Sequence, residues 1–128
     1  MKYLLLISVI IFLIIPTNNI LPDGKDDLYK PFAQVMPEPK DGLESIYKQI
    51  KYPEVAQKAG VEGKVYLLIY INENGDVDDV KVIKGLGAGC DEAAIEVIKN
   101  TKFNPGKDNG TPIKVKLSLP ITFKLNKS

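Results

Sequence analysis

Hydrophobic side chains occupy every second position from residue 113 to residue 125, and the positions between them carry three Lys, one Ser, one Pro and one Thr. This period of two predicts a long β-strand with one face against a hydrophobic core. Pro120 lies inside the run and has no backbone N–H to donate, so we expect this strand at a sheet edge or at a bulge. The apolar positions are Ile113, Val115, Leu117, Leu119, Ile121, Phe123 and Leu125.

Upstream of this run, the same kind of pattern predicts a hairpin and three helices. Residues 64–71 alternate as a strand, Asn74–Gly75 predicts a tight turn, and residues 76–84 return as the paired strand. Apolar residues at three- and four-residue spacing predict helices at 43–50, 53–59 and 92–100. We therefore predict an α+β fold, a two-layer sandwich in which a three-stranded antiparallel sheet is packed by two to three helices.

The beginning of the chain differs in composition from the rest. The run from Tyr3 to Ile15 is almost wholly apolar and follows one Lys, but as a helix it would be only about 20 Å long, against roughly 30 Å for a bilayer core. Residues 1–15 therefore predict a signal peptide, with a short membrane anchor as the alternative, because no small-x-small cleavage site follows. Residues 16–44 are rich in Pro, Asp and Lys without a period, which predicts a linker, and residues 45–128 predict the folded domain.

Charge and composition narrow the classes of function. The 128 residues contain 17 basic residues, all of them Lys, and 16 acidic ones, so the net charge is +1. This balance argues against a nucleic-acid partner, because nucleic-acid-binding surfaces carry an excess of basic residues, many of them Arg. The chain has no His and a single Cys, Cys90, which excludes His-ligated metal sites and the usual nucleophile–base pairs. We expect no enzyme, no cofactor and no metal.

Six short motifs follow one another between residues 52 and 125. They are Tyr52–Pro53, Gly63–Lys64–Val65, Asn74–Gly75–Asp76–Val77, Asp91–Glu92–Ala93–Ala94, Lys102–Phe103–Asn104–Pro105–Gly106 and Pro120–Ile121–Thr122–Phe123–Lys124–Leu125. In order and spacing they resemble the carboxy-terminal domain of the TonB family, over roughly residues 46–125. The resemblance implies that residues 45–128 form such a domain in the periplasm of a Gram-negative bacterium, delivered there by a signal peptide or held at the inner membrane by the short N-terminal anchor.

The resemblance also implies a partner and a binding mode. The partner would be the TonB box, a short segment near the N-terminus of an outer-membrane TonB-dependent receptor. It would add as a strand to the exposed edge of the final strand, a contact called β-augmentation, and so support energy-dependent transmembrane transport. The implied partner-binding residues are Gln49, Lys51, Tyr52, Pro53, Ile113, Lys114, Val115, Lys116, Leu117, Ser118 and Leu119.

Two functions stay open at the level of the sequence. The first is energy transduction, for which the resemblance implies contact with an inner-membrane proton-channel complex through a longer helix that carries a His; this chain has a short apolar run and no His. The second is a non-transducing periplasmic module that pairs with another envelope protein or with itself as a homodimer.

Overall fold

The computed structural model of the protein describes residues 24–126. The signal peptide or anchor predicted at residues 1–15 lies outside these residues. Between residues 24 and 126, no helix is both long enough and apolar enough to cross a membrane.

A three-stranded antiparallel sheet lies at the centre of the fold, in the order β3–β2–β7. Strand β2 (Gly63–Ile71) is the middle strand, β3 (Val77–Lys84) is its hairpin partner, and β7 (Val115–Phe123) lies on the other side. The central position of β2 follows from its sequence, because one of its faces is wholly apolar and the other is half apolar. The predicted hairpin and the predicted final strand are therefore both present.

Three helices cover one face of this sheet: α2 (Gly42–Gln49), α3 (Glu54–Ala59) and α4 (Cys90–Lys99). They close a single core, and each fully buried aliphatic side chain in it contributes about 1.5–3 kcal/mol relative to exposure. The fully buried core residues include Ile46, Ala56, Val65, Leu67, Ile69, Ile71, Cys90, Ala94, Ile98, Phe103 and Ile121. The predicted α+β fold with two layers is confirmed.

Four short strands and a further short helix surround this sandwich. Helix α1 spans Gly24–Leu28. Strand β1 (Glu38–Pro39) pairs with β4 (Phe103–Asn104), and β5 (Gly106–Asp108) pairs with β6 (Thr111–Ile113).

The position of Ile113 corrects the predicted final strand. Asn109 and Gly110 both have positive φ values, 50° and 76°, and turn the chain tightly between β5 and β6. Ile113 therefore pairs with Gly106 in this small hairpin, and β7 begins only at Val115. The period of two continues across both elements because both are extended, so the pattern alone does not show where one ends and the other begins.

A second correction concerns the linker predicted at residues 16–44, whose described part, residues 24–44, is attached to the domain. Val35 exchanges two backbone hydrogen bonds with Lys107, of 3.0 and 2.9 Å, Pro37 is buried, and β1 pairs with β4. Further upstream Tyr29 is only 5% exposed. Within residues 24–44 the chain is thus bound along the domain, because single apolar residues in a polar stretch provide anchors that no periodic pattern reveals.

Candidate functional site

Strand β7 has one paired edge and one free edge. It pairs with β2 in an unbroken register from Gly63↔Phe123 to Ile71↔Val115, and in the described part of the chain no second strand runs along its other side. In an antiparallel ladder every second residue directs both backbone groups toward its neighbour. The amides of Lys116 and Thr122 donate away from β2, to Lys30 and Tyr47. The backbone N–H and C=O groups of the even-numbered residues of β7 therefore point toward the free edge.

Pro120 lies at one of these outward positions. It stands opposite Tyr66 in the register, and by the same alternation its nitrogen faces away from β2. The missing N–H therefore removes no bond from the ladder with β2, which explains how a proline is tolerated inside the strand. The prediction that Pro120 marks a sheet edge is confirmed.

Both ends of the free edge contact other parts of the chain. At the start, the Lys30 amide donates to the Lys114 carbonyl at 2.9 Å, and the Lys116 amide donates to the Lys30 carbonyl at 3.0 Å. At the end, the Thr122 amide donates to the hydroxyl of Tyr47 at 3.3 Å. Between them, within residues 24–126, nothing bonds to the outward backbone groups of Ser118.

We call residues Ser118–Thr122 the open edge. It extends over about 14 Å at the usual rise of an antiparallel strand. It offers the Ser118 amide and the outward carbonyls of Ser118, Pro120 and Thr122, with the carbonyl of Lys116 just before it. Chemically this surface can exchange main-chain hydrogen bonds with an extended peptide and needs few side-chain contacts to do so.

The charges around the start of β7 are mainly positive. Lys30 forms an ion pair with Asp108 at 3.8 Å, which at this exposure contributes little to stability. The ammonium group of Lys114 lies 5.6 Å from the centre of the Tyr29 ring, within the range of a cation–π contact. Within the described residues no group of three or more His, Cys, Asp or Glu could hold a metal ion.

A family profile described as "Gram-negative bacterial TonB protein C-terminal" matches residues 48–125. The chain belongs to this family. The resemblance noted from six short motifs is confirmed by this match, which covers every strand of the central sheet.

Relatives of known name and structure agree with the TonB assignment. Protein TonB of Vibrio cholerae is 34% identical over 87 residues, which are 67% of this chain and 36% of that protein. Protein TonB of Xanthomonas campestris is 36% identical over 77 residues, or 59% of this chain and 34% of that protein. A solution structure of the Helicobacter pylori TonB-CTD has a TM-score of 0.53 and 32% identity, and the match covers 66% of this chain and 90% of that one. This chain spans about a third of the length of the curated relatives.

Tyr52 and Pro53, which the TonB resemblance places beside the groove, hold α3 against the end of β7. The Tyr52 ring packs edge-on against Phe123 with centroids 5.4 Å apart, and its hydroxyl donates to the carbonyl of Val61. Desolvation of this hydroxyl by burial raises the pKa of Tyr52 above its ordinary value. Pro53 is the extended N-cap residue of α3, so the helix predicted at 53–59 begins one residue later, at Glu54. A β-carbon added to Gly89 would lie 3.3 Å from the Pro53 ring.

Gln49 and Lys51 belong to a different surface. The Gln49 amide donates to the carbonyl and the hydroxyl of Ser45, both at 3.1 Å. Gln49 and Lys51 line a shallow cleft whose other lining residues, Ala93, Glu96, Val97 and Asn100, come from α4 and its end. No residue of β7 lines that cleft. The structure thus distributes the predicted partner-binding residues over several places. Val115–Leu119 lie on β7 with Lys114 just before it, Ile113 lies on β6, Tyr52 and Pro53 lie beside the end of β7 and the start of α4, and Gln49 and Lys51 lie beside α4 and its end.

Four residues at the free edge were not predicted from the sequence: Tyr29, Lys30, Tyr47 and Glu62. Glu62 accepts a hydrogen bond of 2.9 Å from the Leu125 amide just beyond β7. Tyr47 belongs to the apolar spacing that predicts the helix at 43–50, but it is 41% exposed and its hydroxyl accepts a hydrogen bond from the Thr122 amide. The sequence signal for Tyr29 is weak, because Leu28, Phe32 and Val35 lie nearby and only the fold shows which of them is buried.

Proposed function

We propose that this TonB C-terminal domain captures a short segment of an outer-membrane receptor by strand addition at the open edge. The receptor segment is the TonB box, and the capture supports energy-dependent transport across the outer membrane. The observation that carries the proposal is the free edge of β7, where no other group of residues 24–126 bonds to the Ser118 backbone and the nitrogen of Pro120 faces outward.

The chemistry of this edge fits a reversible contact. About four main-chain hydrogen bonds, at about 0.5–1.5 kcal/mol net each, come to about 2–6 kcal/mol before the cost of ordering the peptide. Such a contact needs further contributions from side chains at the rim to reach a useful affinity. We assign those contributions to the residues of β7 and to the group around Tyr52 and Pro53.

The family supplies the setting of the proposal. A domain of the Gram-negative TonB family that binds receptors would act in the periplasm, carried there by a signal peptide or held by an N-terminal anchor. Energy coupling would then require contact with an inner-membrane proton-channel complex, outside the edge described above.

A proline at residue 118 tests the capture. The open edge has two outward amides, and that of Thr122 already donates to Tyr47. Ser118→Pro removes the other one without removing a bond to β2, by the alternation that accommodates Pro120. We expect binding of synthetic N-terminal peptides from the TonB-dependent receptors of the same bacterium to weaken at least about tenfold, since a lost bond and an altered edge together amount to about 1.4 kcal/mol or more. Isothermal titration calorimetry gives the dissociation constants.

Ser118→Ala is the matched control, because it keeps the amide and removes only the exposed hydroxyl. It should bind the peptides as the parent chain does. If Ser118→Pro stays folded and binds with unchanged affinity, strand addition at the open edge is wrong.

A second candidate is a non-transducing periplasmic module that pairs its open edge with another envelope protein or with a second copy. The absence of His from the chain favours it, since the resemblance links energy coupling to a His-bearing helix. Nutrient uptake in a deletion strain separates the two functions. Loss of uptake supports transduction, whereas normal uptake in a strain without a paralogue supports the module.

A further inference from the structure

The segment Asp26–Lys30, which we call the edge segment, lies against the start of the free edge of β7. We propose that the edge segment occupies the first positions of the binding edge and has to leave before a partner strand can pair with β7 from Val115 onward. This inference rests on the proposed function, because it concerns competition for the same edge.

The contacts at Lys30 are those that a partner strand would need. Lys30 forms a parallel bridge with Val115, through its amide bond to the Lys114 carbonyl and its carbonyl bond to the Lys116 amide. Each is the outward main-chain group of its residue. Since the Lys116 amide carries a single hydrogen, Lys30 and a partner peptide cannot both accept from it with good geometry.

One buried side chain anchors the edge segment. The Tyr29 ring is 5% exposed and meets the Tyr70 ring edge-on, with centroids 5.0 Å apart and an interplanar angle of 85°. Its hydroxyl donates to the carboxylate of Asp78, and the hydroxyl of Tyr70 donates to Asp26. The anchor therefore lies on β2 and β3, on the sheet face opposite the helices, and it delivers Lys30 to the edge of β7.

The surroundings of Tyr29 allow the edge segment to detach without unfolding the domain. Leu28 is 62% exposed and Phe32 is 81% exposed, so neither neighbour contributes much burial. After Lys30 the chain is fixed again at Gln34, which is hydrogen-bonded to Asp108 and Asn109, and at Val35, through its two hydrogen bonds to Lys107. Release of residues 26–32 thus requires at least the loss of the Tyr29–Tyr70 ring contact, the hydroxyl hydrogen bonds to Asp78 and Asp26, the Lys30–Asp108 ion pair and the two edge hydrogen bonds. The pairing of β1 with β4 can persist throughout.

Competition of this kind lowers the apparent affinity by the fraction of molecules whose edge is free. A minor state of a two-state element is commonly populated at about 0.1–10%, which corresponds to an affinity loss of about tenfold to a thousandfold. Removal of the anchor should recover that loss.

Tyr29→Ala in the full 128-residue chain tests the competition between the edge segment and a partner peptide. We expect this variant to bind the receptor N-terminal peptides at least about tenfold more tightly than the parent. Amide hydrogen exchange followed by NMR should also show faster exchange at Lys116, whose acceptor is Lys30, and unchanged exchange at Leu117, which faces β2. Phe32→Ala is the matched control, since it removes an exposed aromatic side chain three residues along the same segment and should change neither quantity.

A second variant keeps the test decisive if Tyr29→Ala folds poorly. Lys30→Pro removes the amide that donates to Lys114 and leaves Tyr29 in place, and it should tighten binding in the same direction. If a folded variant with fast Lys116 exchange binds the peptides with the same affinity as the parent, the competition is overturned. Weaker binding also overturns it, because the edge segment would then be part of the binding site. Binding by none of the chains refutes the capture itself, and the inference with it, which distinguishes that failure from the other two.

Discussion

At position 75, in the β2–β3 hairpin, the backbone conformation and the space available allow only glycine. Its φ is 82°, and a β-carbon there would lie 1.9 Å from the carbonyl oxygen of Phe103. The approach is close because the Phe103 amide donates to the Gly75 carbonyl at 2.9 Å. This single bond joins the hairpin turn to the strand that follows α4, so the turn glycine has a tertiary role as well as a local one.

Gly75→Ala should therefore destabilise the domain strongly. The positive φ alone costs about 1–2 kcal/mol for a residue with a β-carbon, and the clash with Phe103 raises the loss to about 3 kcal/mol or more. Gly110→Ala is the matched control, because Gly110 has a φ of 76° but no atom within 4 Å of the added carbon. Urea denaturation gives both free energies of unfolding, and equal losses would show that the contact with Phe103 does not constrain the turn.

At the scale of elements, the docking of the edge segment responds to alkaline pH. Burial, followed by the hydrogen bond and negative charge of Asp78, raises the pKa of Tyr29 from 10.0 to about 12. Burial and the bond to Asp26 also raise the pKa of Tyr70. As pH rises, a detached Tyr29 loses its proton before a docked one does, so the docked state is favoured fully below pH 10 and loses this contribution as pH rises through 12.

We expect one tyrosine of the parent chain to titrate near pH 12 and to be missing from the titration of Tyr29→Phe. The difference in phenolate absorbance between the two chains isolates this group from the other tyrosines. If the missing step instead falls at the ordinary pKa of 10.0, Tyr29 is not held in the buried site.

The elements themselves were largely predictable from the sequence, because each has a clear period. The alternation from 64 to 71 and from 115 to 123 and the apolar spacing of the three helices required only that one face be buried. The free edge was indicated by Pro120, by the lysines of the same strand and by the TonB resemblance. Ile113 was misplaced because two extended elements separated by a single residue preserve one alternation, and a period cannot show a break between them.

The remainder of the site depends on contacts between distant residues. Lys30 meets Lys116, and Tyr47 meets Thr122, across more than seventy positions of sequence. No local pattern encodes such pairs. In the same way, the separation of Gln49 and Lys51 from β7 follows from the direction in which the end of α2 faces α4, which is set by packing.

At the scale of the whole molecule, the single thiol reports on the integrity of the core. Cys90 is fully buried at the start of α4, and burial, with the charges of Asp91 and Glu92 adding to it, raises the pKa of the Cys90 thiol above its ordinary value. A thiol reagent reacts with the thiolate and needs access to it. Reaction in the native state therefore requires the helices to separate from the sheet.

We expect labelling of native Cys90 by a thiol reagent to be at least about a thousandfold slower than labelling of the unfolded chain, in line with ordinary folding equilibria. A chain with Cys90→Ala and Ser118→Cys carries an exposed thiol instead and should react at the unfolded rate. Rapid labelling of Cys90 in a folded chain would mean that the start of α4 opens independently of the rest of the core.

The outward nitrogen of Pro120 limits the hydrogen bonds that any bound peptide can form with the open edge. Any peptide laid along Ser118–Thr122 brings one of its carbonyls to a level where the protein has no hydrogen to give. That carbonyl must keep a water molecule or leave the ladder, whichever peptide is present. Because every frame brings some carbonyl to this level, the mismatch selects neither a peptide composition nor a frame. It leaves every bound peptide one hydrogen bond short of what the length of the strand would otherwise allow.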